Sequence, residues 1–309
     1  MKTVGFSNFW KNFDTADNLF VELLEAHYGE ISILDSRSTA LDLEISSIFT
    51  PKMRHLRKKI SALVKSTSQS FENEKDFYRS TVTLARKSPA SRSVWYSGEN
   101  VRPPIDPRYD GFLSFDQDDY YGKNAYLPLW QMHFRENASI YRSPQLGSIF
   151  QVEEFISGRA LEKVPKKFVC AFINNLDPRR MRAIESLQRY GEVDIYGRKF
   201  GKYIEDKTSV ASEYRYVLAF ENDFYPGYVT EKIFDAYACK SIPLYWGSLG
   251  REKAINAGSF IDASNFENFE ALASHVAKIS EDAWQEIYEQ PLLSLLPDFS
   301  DISRVLIGE

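Results

Sequence analysis

The chain has 309 residues, 43% hydrophobic and 26% charged, with a formal net charge of −5. This length exceeds the roughly 100–200 residues of a usual domain, so two domains of about 150 residues are expected. With no run of about 18 apolar residues, the composition excludes a disordered or membrane-spanning chain, and the negative charge gives no global attraction to nucleic acid, so an anionic ligand needs a local set of donors.

"KTVGFSNF" predicts a first strand, and "TADNLFVELLEAHYG" a helix with Leu19, Phe20, Leu23 and Leu24 on one face and Gly29 past its end. The start is too short in apolar residues for a signal peptide, being broken by Ser7 and Asn8, so a cytoplasmic location is expected, with peripheral contact to the inner membrane as the alternative. "ISILD" and "LDLEISSIF" read as strands. They precede a basic helix, "PKMRHLRKKISALVK", in which Met53, Leu56, Ile60 and Leu63 form a stripe under Arg54, Arg57, Lys58 and Lys59. That helix reads as a solvated face over a buried stripe, or as a contact for an anionic surface or ligand. Strands follow at "SRSVWYSG", "YDGFLSF" and "NAYLPLW". The weakly periodic stretch from about 140 to 165, with two prolines, places the domain junction there. Residues 1–150 are expected to form one domain and 151–309 the other, the last helix packing back on the first.

The second half alternates again: strand "KKFVCAFINN", helix "DPRRMRAIESLQRYG", strand "EVDIYG", strand "SEYRYVLAFEN" after a helix end, helix "TEKIFDAYACK" and strand "SIPLYWG". This alternation predicts a parallel α/β layer, whose ligands bind at the carboxyl ends of the strands. Cys170 and Cys239 lie in apolar segments and read as reduced core residues, and the four histidines match no metal-ligand spacing.

Two of those carboxyl ends carry candidate anion sites. In "YVTEKIF", Thr230 reads as a helix N-cap with Glu231 and Lys232 in the first turn, where free N–H groups and the dipole favour phosphate. Lysine there disfavours the helix alone, which points to a ligand anion, a solvated lysine being the alternative. Glu231 reads equally as a cap or as an acceptor of two ribose hydroxyls. In "INNLDPRRMR", one of Arg179, Arg180 and Arg182 facing the strand ends would clamp a diphosphate bidentately. No GxxxxGK[ST] or GxGxxG occurs, which leaves a nucleotide sugar as the diphosphate ligand without either motif. In "VWYSGENVRPP", Glu99 follows a strand and a glycine. It reads as an exposed turn residue or as a base, since a nucleoside-diphosphate leaving group needs no acid. Asp116, Asp118 and Asp119 read as an acidic loop or as a divalent-metal pair.

The stretch "FENDFYPGYVTEKIFDAYACKSIPLYWG" closely resembles the donor-binding signature of α-1,3-fucosyltransferases, glycosyltransferase family 10, and "EVDIYGR", "INNLDPRRMR" and "WYSGENVRPP" resemble further segments of that family in the same order. The likeness is strongest from about 168 to 262. The resemblance implies a GT-B architecture, two Rossmann-like α/β domains facing across a cleft, with the acceptor on the first and GDP-fucose on the second. It implies transfer of fucose with inversion to the 3-hydroxyl of N-acetylglucosamine or glucose in an acceptor ending in N-acetyllactosamine or lactose. By the same resemblance Glu99 is the general base, Arg182 and Lys232 bind the diphosphate, Glu231 binds the ribose, Asn222 and Tyr228 contact the donor, and Asn175 lines its pocket. No metal is required, although manganese or magnesium could stimulate. The chain lacks the heptads and basic tail of some bacterial members and the cysteine pairs and anchor of Golgi members, so a cytosolic bacterial enzyme, or a trimmed form of one, is expected. Another nucleotide-sugar donor, or a carbohydrate-binding protein without turnover, are the alternatives. Trp10, Trp95, Trp130 and Asp116 are unranked candidates for acceptor contact.

Overall fold

A computed structural model describes residues 1–49, 89–104, 106–174 and 176–309. The basic helix and Asn175 therefore lie outside the described residues. The chain divides into two compact units, residues 1–132 with 298–309 and residues 133–297.

The first unit holds a six-stranded parallel sheet: β1 (Lys2–Ser7), β2 (Ile31–Leu34), β3 (Leu43–Ser46), β4 (Arg92–Tyr96), β5 (Gly111–Ser114) and β6 (Asn124–Tyr126), ordered β2-β1-β3-β4-β5-β6. Helix α1 (Leu19–Tyr28) joins β1 to β2, its N-terminus capped by the Asn18 side chain on the N–H groups of Phe20 and Val21. Val21, not Leu23, completes its buried face with Leu19, Phe20 and Leu24.

In the second unit a small antiparallel sheet comes first: β7 (Phe134–Arg135), β8 (Ile140–Ser143) and β9 (Ser148–Gln151), followed by the single-turn helix α2 (Glu153–Ile156). The unit boundary thus falls at 132/133 rather than near 150. These strands span two to four residues each, too short to print a periodicity on the sequence. They belong to the second unit because Phe134, Tyr141 and Phe155 surround the Phe234 ring, with centroids 5.6–5.7 Å away.

A five-stranded parallel sheet follows, alternating with helices: β10 (Lys167–Phe172), α3 (Pro178–Leu187), β11 (Val193–Tyr196), α4 (Lys207–Ala211), β12 (Tyr214–Phe220), α5 (Lys232–Ala238), β13 (Ile242–Trp246) and β14 (Ile261–Asp262), ordered β11-β10-β12-β13-β14. Its core sets Val169, Ala171 and Leu218 against Ala183, Ile184 and Leu187 of α3. Two further helices, α6 (Phe269–Lys278) and α7 (Glu281–Glu289), complete this unit, and the last, α8 (Ser300–Ile307), belongs to the first unit. Arg159 holds α5 in place. Its buried guanidinium lies 3.8 Å and 4.1 Å from the Tyr237 and Tyr288 ring centroids and donates to the carbonyls of Tyr237, Ser241 and Tyr288, where helix-end carbonyls favour a cation.

Both parallel sheets share the 2-1-3-4-5 strand order. In each, the chain leaves the central strand in opposite directions at one point, between β1 and β3 and between β10 and β12. Such a switch opens a crevice at the strands' carboxyl ends.

Candidate active site

A pocket of about 780 Å³ occupies the switch point of the second unit. Asn174 borders it after β10, Tyr196 and Gly197 after β11, Asn222 after β12, and Glu231 and Lys232 at the start of α5. Gly197 is required where it stands: a Cβ there would lie 2.0 Å from the Ile173 carbonyl oxygen. Its absence lets the end of β11 close on β10, the Ile173 N–H donating to the Tyr196 carbonyl at 2.8 Å.

Behind the wall lies Glu221, 1% exposed, which does not itself line the pocket but holds Lys232, which does. Its carboxylate accepts from the Thr230 N–H at 2.7 Å, the Thr230 hydroxyl at 2.8 Å and the Lys232 ammonium at 3.0 Å. A buried carboxylate is tolerated only with such partners, and this explains a departure from the expected cap. The Thr230 hydroxyl points to Glu221 and lies 3.5 Å from the Lys232 N–H, while α5 begins at Lys232 with Glu231 before it making no side-chain cap bond. Burial would lower the Lys232 ammonium, but Glu221 and Glu231 outweigh it and hold its pKa above the ordinary value. Burial would raise the Glu231 carboxyl, but Lys232 and His133 outweigh it and hold it low. The pocket therefore presents a fixed cation beside an ionised carboxylate.

Of the three arginines, the structure brings Arg180 to the pocket and not Arg182. Arg180 is 9% exposed, lines the wall, and donates to the Phe220 carbonyl at 2.7 Å and to Asn222 Oδ1 at 2.8 Å. Arg182 is exposed and does not line the pocket. The reason is helical phase. Arg180 stands three, four and seven positions before Ala183, Ile184 and Leu187, the buried stripe of α3, whereas Arg182 falls outside it. That signal was present in the sequence. Arg179 donates to Asp177 and the Asn222 carbonyl and lies over the Trp246 ring at 4.4 Å.

Asn222 borders the pocket, as does Asn174, the neighbour of Asn175. Tyr228 is 1% exposed and does not line the pocket. Sequence reading passed over Asp235, which lines the pocket from α5 and accepts from the Tyr141 hydroxyl at 2.8 Å and the Ser143 hydroxyl at 2.7 Å. Burial, aided by Glu231, pushes its carboxyl up to about 7. His133 is lowered to about 4, chiefly by burial. The lining cations are Arg180, Arg198, Lys199, Lys207 and Lys232, against the carboxylates Glu205, Glu231 and Asp235. This excess of fixed donors suits a polyanion.

In the first unit, Glu99 is half-buried on the turn after β4. Its carbonyl accepts from the Val101 N–H at 2.6 Å and lies 3.0 Å from the Ser97 hydroxyl, which pins the turn. Asp116 is 3% exposed and accepts from the Tyr120 hydroxyl at 2.6 Å. Among the described residues no group of three or more His, Cys, Asp or Glu is placed to hold a metal, and no helix is long and apolar enough to cross a membrane. Cys170 and Cys239 are buried and not disulfide-bonded.

Two parallel α/β units with switch-point crevices define the GT-B class, and the fold matches a crystal structure of an α1,3-fucosyltransferase with GDP-fucose. The TM-score is 0.67 with 19% identity, over 99% of this chain and 88% of that one. Residues 162–290 match the family model described as glycosyltransferase family 10 (fucosyltransferase) C-term. An α-(1,3)-fucosyltransferase FucT of Helicobacter pylori is 27% identical over 234 residues, 66% of this chain and 48% of that protein. The 4-galactosyl-N-acetylglucosaminide 3-alpha-L-fucosyltransferase 9 of Mus musculus is 30% identical over 123 residues, 38% of this chain and 34% of that protein. The chain thus spans about half the length of the first relative and a third of the second.

Proposed function

We propose that the protein is a GDP-fucose-dependent α-1,3-fucosyltransferase that transfers with inversion to the 3-hydroxyl of N-acetylglucosamine or glucose in N-acetyllactosamine-like acceptors. The observation that carries this reading is the donor set of the second unit, Arg180 and Lys232 locked at the switch point inside the family-10 segment. In this reading Arg180 and Lys232 bind the diphosphate, Glu231 accepts the ribose hydroxyls, and Asn222 orients Arg180 and touches the donor. Glu99 takes the proton of the acceptor hydroxyl as its oxygen attacks the fucose anomeric carbon. The bond from that carbon to the phosphate oxygen breaks, and its electron pair leaves on GDP. Fixed cations at the diphosphate stabilise the charge that develops there more than the ground state. The chemistry needs no metal, and none is assigned.

The test is release of GDP on incubation with GDP-fucose and lactose or N-acetyllactosamine. Glu99→Gln is expected to cut turnover about 10²-fold or more while GDP binding survives. Stabilisation of the fold by UDP in place of GDP would show another donor, and sugar binding without turnover would show a binding protein. Either result overturns the reading.

A further inference from the structure

The first unit has its own switch point, between β1 and β3, and the chain there is built to expose an aromatic ring. At the end of β1, Asn8 takes a left-handed turn with φ 59°, a conformation that asparagine tolerates better than most residues. Its side chain donates to the Ser46 hydroxyl at 3.0 Å, and its carbonyl accepts the Phe49 N–H at 2.7 Å. After the turn Phe9 stacks on Tyr96, the last residue of β4, with ring centroids 5.8 Å apart. Trp10 lies 4.9 Å from the Phe13 ring centroid and 5.9 Å from that of Phe49, edge-on to both. Phe49 in turn reaches the Glu99 turn: a Cβ on Gly98 would stand 3.1 Å from its ring and 2.8 Å from the Ser47 hydroxyl.

Burial ranks the tryptophan candidates. Trp95 and Trp130 are 0% exposed and Trp10 is 38% exposed. Asp116, also a candidate, is buried on Tyr120. An exposed indole packed against aromatic neighbours at the strand ends, beside the turn that carries Glu99, has the chemistry for one occupant. That occupant is the apolar face of a neutral pyranose, whose C–H groups stack on an aromatic face while its hydroxyls stay free for other contacts.

We infer that Trp10 is the stacking platform of an acceptor-sugar subsite in the first unit, a specificity-determining residue for the proposed reaction; this rests on the assignment of Glu99 as base. Trp10→Ala is expected to raise the acceptor KM about five- to tenfold, leaving the donor KM and the thermal stabilisation by GDP unchanged. Trp10→Phe, which keeps a ring, should stay within about threefold of the parent. An unchanged acceptor KM in Trp10→Ala overturns the inference even if the parent enzyme is active. A second readout does not need turnover: in fluorotryptophan-labelled protein, the fluorine resonance of Trp10, assigned with Trp10→Phe, should move on titration with N-acetyllactosamine. If the parent shows no fucosyl transfer but this resonance moves, the catalytic reading fails and the sugar subsite stands. A resonance that stays fixed at saturating sugar removes the subsite.

Discussion

Lys232 has two duties, and substitutions separate them. It neutralises a buried carboxylate, Glu221, whose side chain is fully buried while that of Lys232 is 26% exposed, and it presents charge to the pocket. Removing one partner of a buried pair costs about 3–5 kcal/mol because the other charge is stranded. Lys232→Met is therefore expected to destabilise the second unit by that amount as well as weaken GDP binding. The double variant Glu221→Gln with Lys232→Met should regain most of the stability but none of the binding, as read from urea unfolding and nucleotide titration. Equal stability of the single and double variants would mean that the pair does not form. Arg180 and Arg182 make the cleaner contrast. A charge-assisted hydrogen bond is worth about 1.5–3 kcal/mol, so Arg180→Ala should weaken GDP binding by about ten- to a hundredfold, and Arg182→Ala, exposed on the other side of α3, by less than about twofold. The resemblance pointed to Arg182 because it compares residue order. The three- and four-residue spacing to Ala183, Ile184 and Leu187 points to Arg180. The burial of Glu221 depends on the return of "YVTEK" over the end of β12, where Thr230 and Lys232 donate to its carboxylate, a tertiary contact that no local pattern prints.

The strands of both parallel sheets, except the two-residue β14, were legible because they are short, largely apolar runs, as in β12 with six of its seven residues buried. The β7–β9 sheet was not, and it matters to the pocket: Tyr141 and Ser143 of β8 both donate to one oxygen of Asp235 on α5. That oxygen survives in Asp235→Asn, so the junction can be titrated without being broken. The Asp235 carboxyl stands at about 7 against an ordinary 3.8. The folded state therefore keeps a proton that the unfolded state has lost, and this contribution is full below about pH 4 and disappears as pH rises through 7. His133 has the opposite sign. Lowered to about 4 from 6.5, it gives up in the fold a proton that the unfolded chain keeps, so its contribution grows from pH 4 to 6.5. Each slope is at most about 1.4 kcal/mol per pH unit, and the two oppose each other across the shared window. Urea midpoints of Asp235→Asn should rise from pH 4 to 6.5, and those of His133→Gln should fall. If Asp235→Asn keeps the parent's pH profile, the carboxyl is not protonated in the fold.

The chain's last helix belongs with residues far earlier in the sequence. Helix α8 buries Ile302, Val305 and Leu306 in the first unit. Gly111 of β5 makes room for it, since a Cβ there would meet Val305 at 2.6 Å. Arg92 of β4 donates to the Val305 carbonyl at 2.7 Å, where a cation satisfies a helix-end acceptor and its dipole. Each buried aliphatic side chain contributes about 1.5–3 kcal/mol, so the three together supply several kcal/mol, a large part of a domain's net stability of about 5–15 kcal/mol. Removing residues 298–309 should therefore unfold the first unit and leave the second, residues 133–297, with its pocket. In calorimetry this predicts loss or a marked downward shift of one transition while another persists and still moves up with added GDP; the proposed fucosyl transfer, for which Glu99 is the proposed base, should vanish. Val305→Asp should act in the same direction by burying an unpaired carboxylate against β5, and Arg92→Ala more mildly, by about 1–3 kcal/mol for the carbonyl left unpaired. A truncated chain that keeps every transition of the parent, or loses GDP binding together with the first unit, would show that α8 is not the element on which the first unit alone depends.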